Sequence, residues 1–234
     1  MHLDLIQPLL LGMKWMDPTW LLSTFGSALF WLSLVIVFVE CGLFFPFLPG
    51  DTLLFAMGLF IGTDRVDIVP GAHGVDLVVA VILFTIAAFA GNVAGYEIGR
   101  KAGPRIYERD GKLLKREYLE QTSHFFEVHG SKALVIGRFV PFVRTFITLV
   151  AGVTQMNRAK FMVWSAVGAV MWVSSITLLG FFLGRQFPWL GNNIDYVTIG
   201  LLLITVLPIF IELRRKKRNE RAAAGSTSRT SVRD

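Results

Sequence analysis

Three stretches of this chain, residues 18–39, 77–96 and 161–184, carry no charged side chain. Each is as long as the roughly 20 residues that an α-helix needs to cross a bilayer. Backbone polar groups in hydrocarbon must be satisfied within the segment, so runs of this kind are read as membrane helices. A fourth run, 196–211, is shorter, and its flanks extend it to a crossing over 194–213. Composition agrees: 53% of residues are hydrophobic and 17% charged, with a mean hydropathy of +0.57. A soluble domain carries about a quarter charged residues. The expected class is an all-α polytopic membrane protein with about four transmembrane helices.

Charge between the runs orients them. The stretch 100–132 has eight basic and five acidic residues, and the tail from Glu212 onward has eight basic and three acidic. By contrast 63–76 has one basic and three acidic residues, and 185–195 has one of each. Basic loops stay in the cytoplasm. The expectation is therefore that 100–132 and both termini are cytoplasmic, and that 63–76 and 185–195 face outward. Counting crossings then forces 41–62 to enter and leave from the outer face, and 133–156 from the inner one. Both carry helix breakers: Pro46, Pro49 and Gly50 in the first, Pro141 in the second. A proline removes a helical hydrogen bond, and irregular backbone at membrane depth survives only where protein or a wet cavity satisfies it. Two re-entrant broken-helix hairpins are expected, with two kinked full crossings as the alternative.

The hairpins resemble each other. Pro46-Phe-Leu-Pro49-Gly50 lies over Pro141-Phe-Val-Arg144-Thr145, Gly58 and Gly152 follow at similar distances, and the next spans end in Gly95-Tyr-Glu-Ile-Gly99-Arg100 and Gly180-Phe-Phe-Leu-Gly184-Arg185. One crossing separates them, so the repeats would be inverted, the plan of many secondary transporters. The organisation read from the chain is an interfacial N-terminal segment at 1–17, one membrane domain at 18–213, and a basic disordered tail at 214–234. Within the domain, a span at 18–39, a hairpin at 41–62, a span at 77–99, a cytoplasmic amphipathic helix at 112–130, a hairpin at 133–156, and spans at 161–184 and 194–213 follow in order. No basic leader precedes the first apolar stretch, so a removed signal peptide is not expected.

Glu40, Asp51, Arg138 and Arg144 stand in or beside the hairpins. A charge at the centre of a span costs roughly 2.5–3.5 kcal/mol, so these four need partners. If the hairpin tips meet, two carboxylates approach two guanidinium groups, either as a structural ion-pair cluster or as a site. Arginine's planar fork suits phosphate, and helix N-termini at the proline breaks offer N–H groups to an anion. On this reading Arg138 and Arg144 bind phosphate, while Glu40 and Asp51 pair with them and handle protons. An amphiphile can keep its tail in the bilayer while its head crosses, so headgroup translocation fits a chain of this size.

The patterns E-x-G-L-x-x-P-x-x-P-G-D from Glu40, G-x-x-x-G-Y-x-I-G-R-x-x-G at 91–103 and H-G-x-x-x-x-x-x-G-R-F-x-P-x-x-R-T-x-x-x-x-x-A-G at 129–152 resemble the DedA family, which shares the SNARE-associated or VTT domain. The resemblance covers roughly 25–190. It implies a multi-pass protein of the bacterial inner membrane, linked to envelope integrity, membrane potential and resistance to cationic peptides. Some members recycle polyprenyl phosphate from the outer to the inner leaflet, and eukaryotic relatives scramble phospholipids; for this chain, the carboxylates beside the arginines make coupling to the proton motive force the expectation. The family's acidic pair falls on Glu40 and Asp51, and its arginines on Arg138 and Arg144. Pro46, Pro49, Gly50, Pro141, Thr145 and Gly152 are the structural residues of the tips.

No metal, nucleotide or nucleophile-elbow motif is present, so neither a cofactor nor an enzyme is expected. Single Cys41 reads as a small buried residue. Glu97 reads as interfacial, and Leu114, Tyr118, Phe125 and His129 as a strip lying on the membrane, stopped by Gly130. The run Arg214–Arg218 reads as an anchor to anionic lipid and not as a nucleic-acid site. Two rivals remain open: a proton-coupled antiporter of small cations, and a membrane organiser whose charges fix helix register. A homo-oligomer is compatible with all three.

Overall fold

The structure of the chain, a computed structural model, describes residues 21, 24–26, 28–43, 49–69, 75–103 and 116–187. Every regular element among them is helical: α1 (Ala28–Leu43), α2 (Gly50–Gly62), α3 (Asp76–Ala102), α4 (Arg116–His129), α5 (Ala133–Ile136), α6 (Pro141–Val153) and α7 (Arg158–Gln186). Short 3-10 turns at Gly130–Lys132 and Gly137–Phe139 flank α5. The expected segments 1–17, 194–213 and 214–234, and Pro46, lie outside the described residues.

Two helices, α3 with 27 residues and α7 with 29, are long and apolar enough to cross a membrane. At 1.5 Å per residue they rise about 40 Å and 44 Å. Helices α2 and α6 have 13 residues each. They rise only about 20 Å, short of a hydrocarbon core about 30 Å thick.

The long helices are patterned inside out compared with a soluble bundle. On α3 the buried face is Ala80, Phe84, Ala88, Gly91, Asn92, Gly95, Tyr96 and Gly99. Val78, Ile82 and Ile86 are more than half exposed on the other side. On α7 the buried face is mostly small, with Ser165, Gly168, Ala169, Thr177, Gly180 and Gly184 beside Phe161, Trp172 and Val173, while Val163, Leu179 and Phe182 are exposed. Small residues inside allow backbones to approach, and large apolar ones outside suit lipid.

The short helices pack crosswise onto the long ones. Helix α2 lies chiefly against α7, α1 against α3, and α6 against both α3 and α4. A Cβ on Gly180 would meet the Phe55 backbone and one on Gly58 the Thr177 carbonyl, so α2 and α7 touch main chain to main chain. Gly152 of α6 and Gly99 of α3 face the Gly99 and Leu149 backbones in the same way.

Two elements, the first span and the helix before Gly130, differ from the sequence reading, while the second broken segment breaks where Pro141 predicts. The first span is not one helix over 18–39: Gly26 has a φ of +52°, and α1 runs from Ala28 to Leu43, so Glu40 and Cys41 lie on a helix and not in a hairpin arm. Apart from Glu40 the sequence stays apolar through Leu43, and no proline intervenes before Pro46. The helix α4 does end before Gly130, at a φ of +57°, but Phe125 packs with Phe126 on a cluster of Tyr96, Leu134, Val143, Ile147 and Phe161. Its apolar strip therefore rests in part on protein. The second broken segment divides as α5, a 3-10 turn and α6, with Val140 extended at φ −105° and ψ 111°. The pyrrolidine ring of Pro141 excludes Val140 from helical space and then opens α6 at a position where its missing N–H does no harm.

Candidate functional site

The four charges come together, but not as two matched pairs. Arg144, in the first turn of α6, holds both carboxylates: its Nη2 donates to Glu40 Oε1 at 2.7 Å and its Nη1 donates to Asp51 Oδ2. Glu40 reaches in from the last turn of α1, and Asp51 sits in the first turn of α2. The other Glu40 oxygen accepts the Gly50 N–H at 2.8 Å. Pro49 caps α2 and Gly50 begins it, so this carboxylate binds the first N–H of the helix, where its positive dipole end favours an anion. Glycine leaves room for this contact: a Cβ on Gly50 would overlap the Glu40 carboxylate, which would have to shift.

Arg138 is different. It belongs to the 3-10 turn before Val140, is 6% exposed, and makes no ion pair among the described residues. Its Nε has no hydrogen-bond partner. Its stem lies against α7 where Gly168 leaves room, with Cδ and Nε both 3.2 Å from where a Cβ would stand. Trp172 of α7 offers its ring to both arginines, with guanidinium carbons 5.9 Å (Arg138) and 5.6 Å (Arg144) from the ring centroid. That contact orients and partly stabilises the two cations.

Glu40, Cys41, Asn92, Arg138, Arg144 and Trp172 enclose a cavity of about 20 Å³. That is room for one water. Asn92 of α3 is 1% exposed and its Nδ2 is unpartnered. Two buried donors without acceptors, Arg138 Nε and Asn92 Nδ2, thus border one cavity. A buried donor left unsatisfied costs about 1–3 kcal/mol, more when charged, so the arrangement is poised for an acceptor. Among the described residues no group of His, Cys, Asp and Glu has the makeup of a metal site.

The remaining expected residues have defined places. Pro141 opens α6 and Thr145 follows Arg144 in it, while Gly152 seats its far end on α3. Glu97 pairs with Arg158 at 3.1 Å on the surface. The Gly-Tyr-x-Ile-Gly-Arg motif works at the same end: Tyr96 stacks on Phe161 with centroids 4.1 Å apart, donates to the Met156 carbonyl, and accepts from Arg100 Nη1 at 2.8 Å. This ties α3 to the turn between α6 and α7.

Residues 45–182, more than half of the chain, match the VTT domain. The chain is 35% identical to Protein DedA of Escherichia coli K12 over 206 residues, 87% of this chain and 90% of that protein. The chain belongs to the DedA family. This DedA-family membrane protein is also 34% identical over 222 residues to the membrane protein ML0287 of Mycobacterium leprae, covering 94% of each chain. It is 34% identical over 184 residues to the inner membrane protein YqjA of Escherichia coli K12, 78% of this chain and 80% of the relative. No solved structure matches it. Asp51, Arg138 and Arg144 fall inside the VTT match, and Glu40 lies just before it.

Sequence reasoning missed three residues that line this cavity. Asn92 sits inside an uncharged span and carries no charge to draw attention. Trp172 reads as one more large residue of α7. Cys41 lies beside Arg138 on the cavity wall and is only partly buried, not sequestered in a core. A polar residue at an inward position of a membrane helix was the available signal, and Asn92 meets it.

Proposed function

We propose that this protein moves an anionic lipid phosphate, of the polyprenyl phosphate type, between the leaflets of a bacterial inner membrane, with protons as the coupling ion. The observation that carries this reading is Arg138: a buried guanidinium with no carboxylate of its own, next to a second arginine and an unpartnered amide. A phosphate monoester carries about −1.5 to −2 charge and three acceptor oxygens. It satisfies Arg138 Nε and Asn92 Nδ2 at once. It also competes with Glu40 and Asp51 for Arg144, because fork-to-phosphate and fork-to-carboxylate pairing use the same donors.

The cavity is too small for a phosphate, so entry requires Arg144 to release its carboxylates and the tips to part. Glu40 and Asp51, freed from their cation, then take up protons; departure of the phosphate lets Arg144 reclaim them and the protons leave. The crosswise packing supports an inverted repeat. Gly99 meets the Leu149 backbone as Gly184 meets that of Leu59, and Gly152 meets Tyr96 as Gly62 meets Phe181. On this register Gly152 corresponds to Gly62, one helical turn beyond Gly58. The 13-residue lengths of α2 and α6 support re-entrance of both segments. Alternate opening of one tip and then the other exposes the head to each side while the tail stays in lipid.

The test is movement of labelled polyprenyl phosphate across proteoliposome leaflets, with and without an imposed pH gradient. Native protein is expected to move it faster under the gradient, and Arg138→Ala and Arg144→Ala to fall to the empty-liposome rate. Unchanged movement in both variants overturns the phosphate role. Proton flux driven by a small-cation gradient without lipid phosphate favours the antiporter instead.

A further inference from the structure

A second cationic cleft lies at one end of the domain, where the turn after α4, the helix α5 and the start of α7 meet. It is a shallow, open cleft of about 510 Å³ lined by Val128, His129, Ser131, Lys132, Ile136, Lys160 and Trp164. That is within the range of small-ligand sites. It shares no lining residue with the Arg138–Arg144 cavity.

Its charge is unbalanced. Lys132 and Lys160 are exposed, no lining residue is acidic, and neither lysine makes an ion pair among the described residues. Lys160 stands in the first turn of α7, which has no acidic residue to offset the positive end of the helix. The neighbouring Arg158 is answered by Glu97, but Lys160 has no such answer. The Asn157 side chain already accepts the N–H groups of Ala159 and Lys160, so an anion here is held by side chains and not by the helix end. His129 is fixed in place: it stacks on Phe125 with centroids 4.2 Å apart and its Nδ1 donates to the Phe125 carbonyl at 3.0 Å. Its Nε2 is then an acceptor, suited to a hydroxyl of a headgroup and not to a phosphate oxygen.

The rest of the wall is apolar. Val128 is 66% and Ile136 43% exposed, and Trp164 is half-buried one turn beyond Lys160. A tryptophan beside lysines at the end of a spanning helix is the side-chain chemistry of the headgroup zone. A free phosphate has no use for Val128, Ile136 and Trp164; a phosphate carried on acyl chains does.

We infer that this cleft binds the headgroup of an anionic phospholipid, with Lys132, Lys160 and Ser131 on the phosphate, His129 accepting from a headgroup hydroxyl, and Ile136 and Trp164 on the start of its chains. The inference stands without the central transport site. It gives the protein a resident lipid at the end where α4 is docked, holding that helix to α7 through a shared ligand.

The experiment uses the full chain in detergent, equilibrated with phosphatidylglycerol or phosphatidylcholine, and counts lipids retained per protein by native mass spectrometry. Native protein is expected to retain phosphatidylglycerol preferentially. The double variant Lys132→Ala, Lys160→Ala is expected to weaken that retention about 30-fold, since each cation near a membrane surface contributes about 1 kcal/mol. Lys101→Glu, at an exposed cation outside the cleft, changes net charge by the same two units and is expected to retain lipid as the native protein does. Equal retention by the double variant overturns the inference, as does an equal loss with Lys101→Glu. Full displacement of phosphatidylglycerol by millimolar inorganic phosphate, with Trp164→Ala unaltered in retention, replaces the lipid with a free anion and overturns it too.

Discussion

Arg138 and Arg144 are six residues apart, of one chemical type and beside the same Trp172 ring, yet they differ in the partners that their donors find. Arg144 is saturated by two carboxylates, and Arg138 has a tryptophan face and an unpartnered Nε. The sequence pointed to all four charges, because ions in apolar segments are costly and therefore noticeable. It could not tell that both carboxylates would choose the same arginine, since that depends on where the tip of α2 lands. Asn92 escaped notice for the opposite reason: an amide in a span costs less than an ion. Its geometry gives a prediction with two signs. Asn92→Leu removes an unsatisfied buried donor and so is expected to raise thermal stability by about 1 kcal/mol. The same change is expected to slow lipid transport up to tenfold, read by a melting curve and the proteoliposome assay on one preparation. Loss of both stability and transport would make Asn92 a packing residue. Arg138→Lys keeps the charge but loses the fork, and transport is expected to fall about 10- to 100-fold with folding intact. Gly50→Ala is expected to cost about 1–3 kcal/mol by driving a methyl into the Glu40 carboxylate, seen as a lower melting temperature.

Among the elements, α3 and α7 were legible almost to their ends, since long uncharged runs leave helix as the one fold that satisfies their backbone. The break before Pro141 was legible too, because a proline constrains its predecessor whatever the tertiary context. The start of α1 was not: an apolar run extends its hydrophobic signal across Gly26, while the backbone there turns at positive φ. Nor was the docking of α4, whose amphipathic pattern reads the same against lipid as against Phe161 and Leu134. Helix pairing is written in glycines, and adjacent positions on α7 separate the two faces. Gly180 abuts the Phe55 and Leu59 backbones, whereas Leu179 is 53% exposed. Gly180→Leu is expected to lower the melting temperature sharply, since packing has no room for the added atoms and overfilling costs at least about 1–3 kcal/mol. Leu179→Ala is expected to leave it nearly unchanged. Equal effects would mean that α2 does not use α7 as its seat.

For the whole molecule, the short length of α2 and α6 bears on which side of the membrane each loop occupies. Two full crossings and two re-entrant hairpins return the chain to the same side by α7, so the position of the turn at 154–157 cannot separate them. The loops at 63–76 and 100–132 can, because they exchange sides between the two topologies. Helices that rise about 20 Å reach the middle of a bilayer and beyond but do not span it, which favours re-entrance. The charge balance agrees, with acidic residues prevailing in 63–76 and basic ones in 100–132. The chain has a single cysteine, so a Cys41→Ala background gives a clean reporter. In intact cells, an impermeant maleimide is expected to label Arg65→Cys and to leave Lys101→Cys unlabelled until the membrane is opened. Both positions are exposed on the protein surface, so access is decided by the bilayer. The reverse pattern would mean that both segments cross completely, and the paired carboxylates and arginines would then line one continuous path instead of two opposed tips. That outcome would leave the ion cluster intact and remove alternating access by the hairpins.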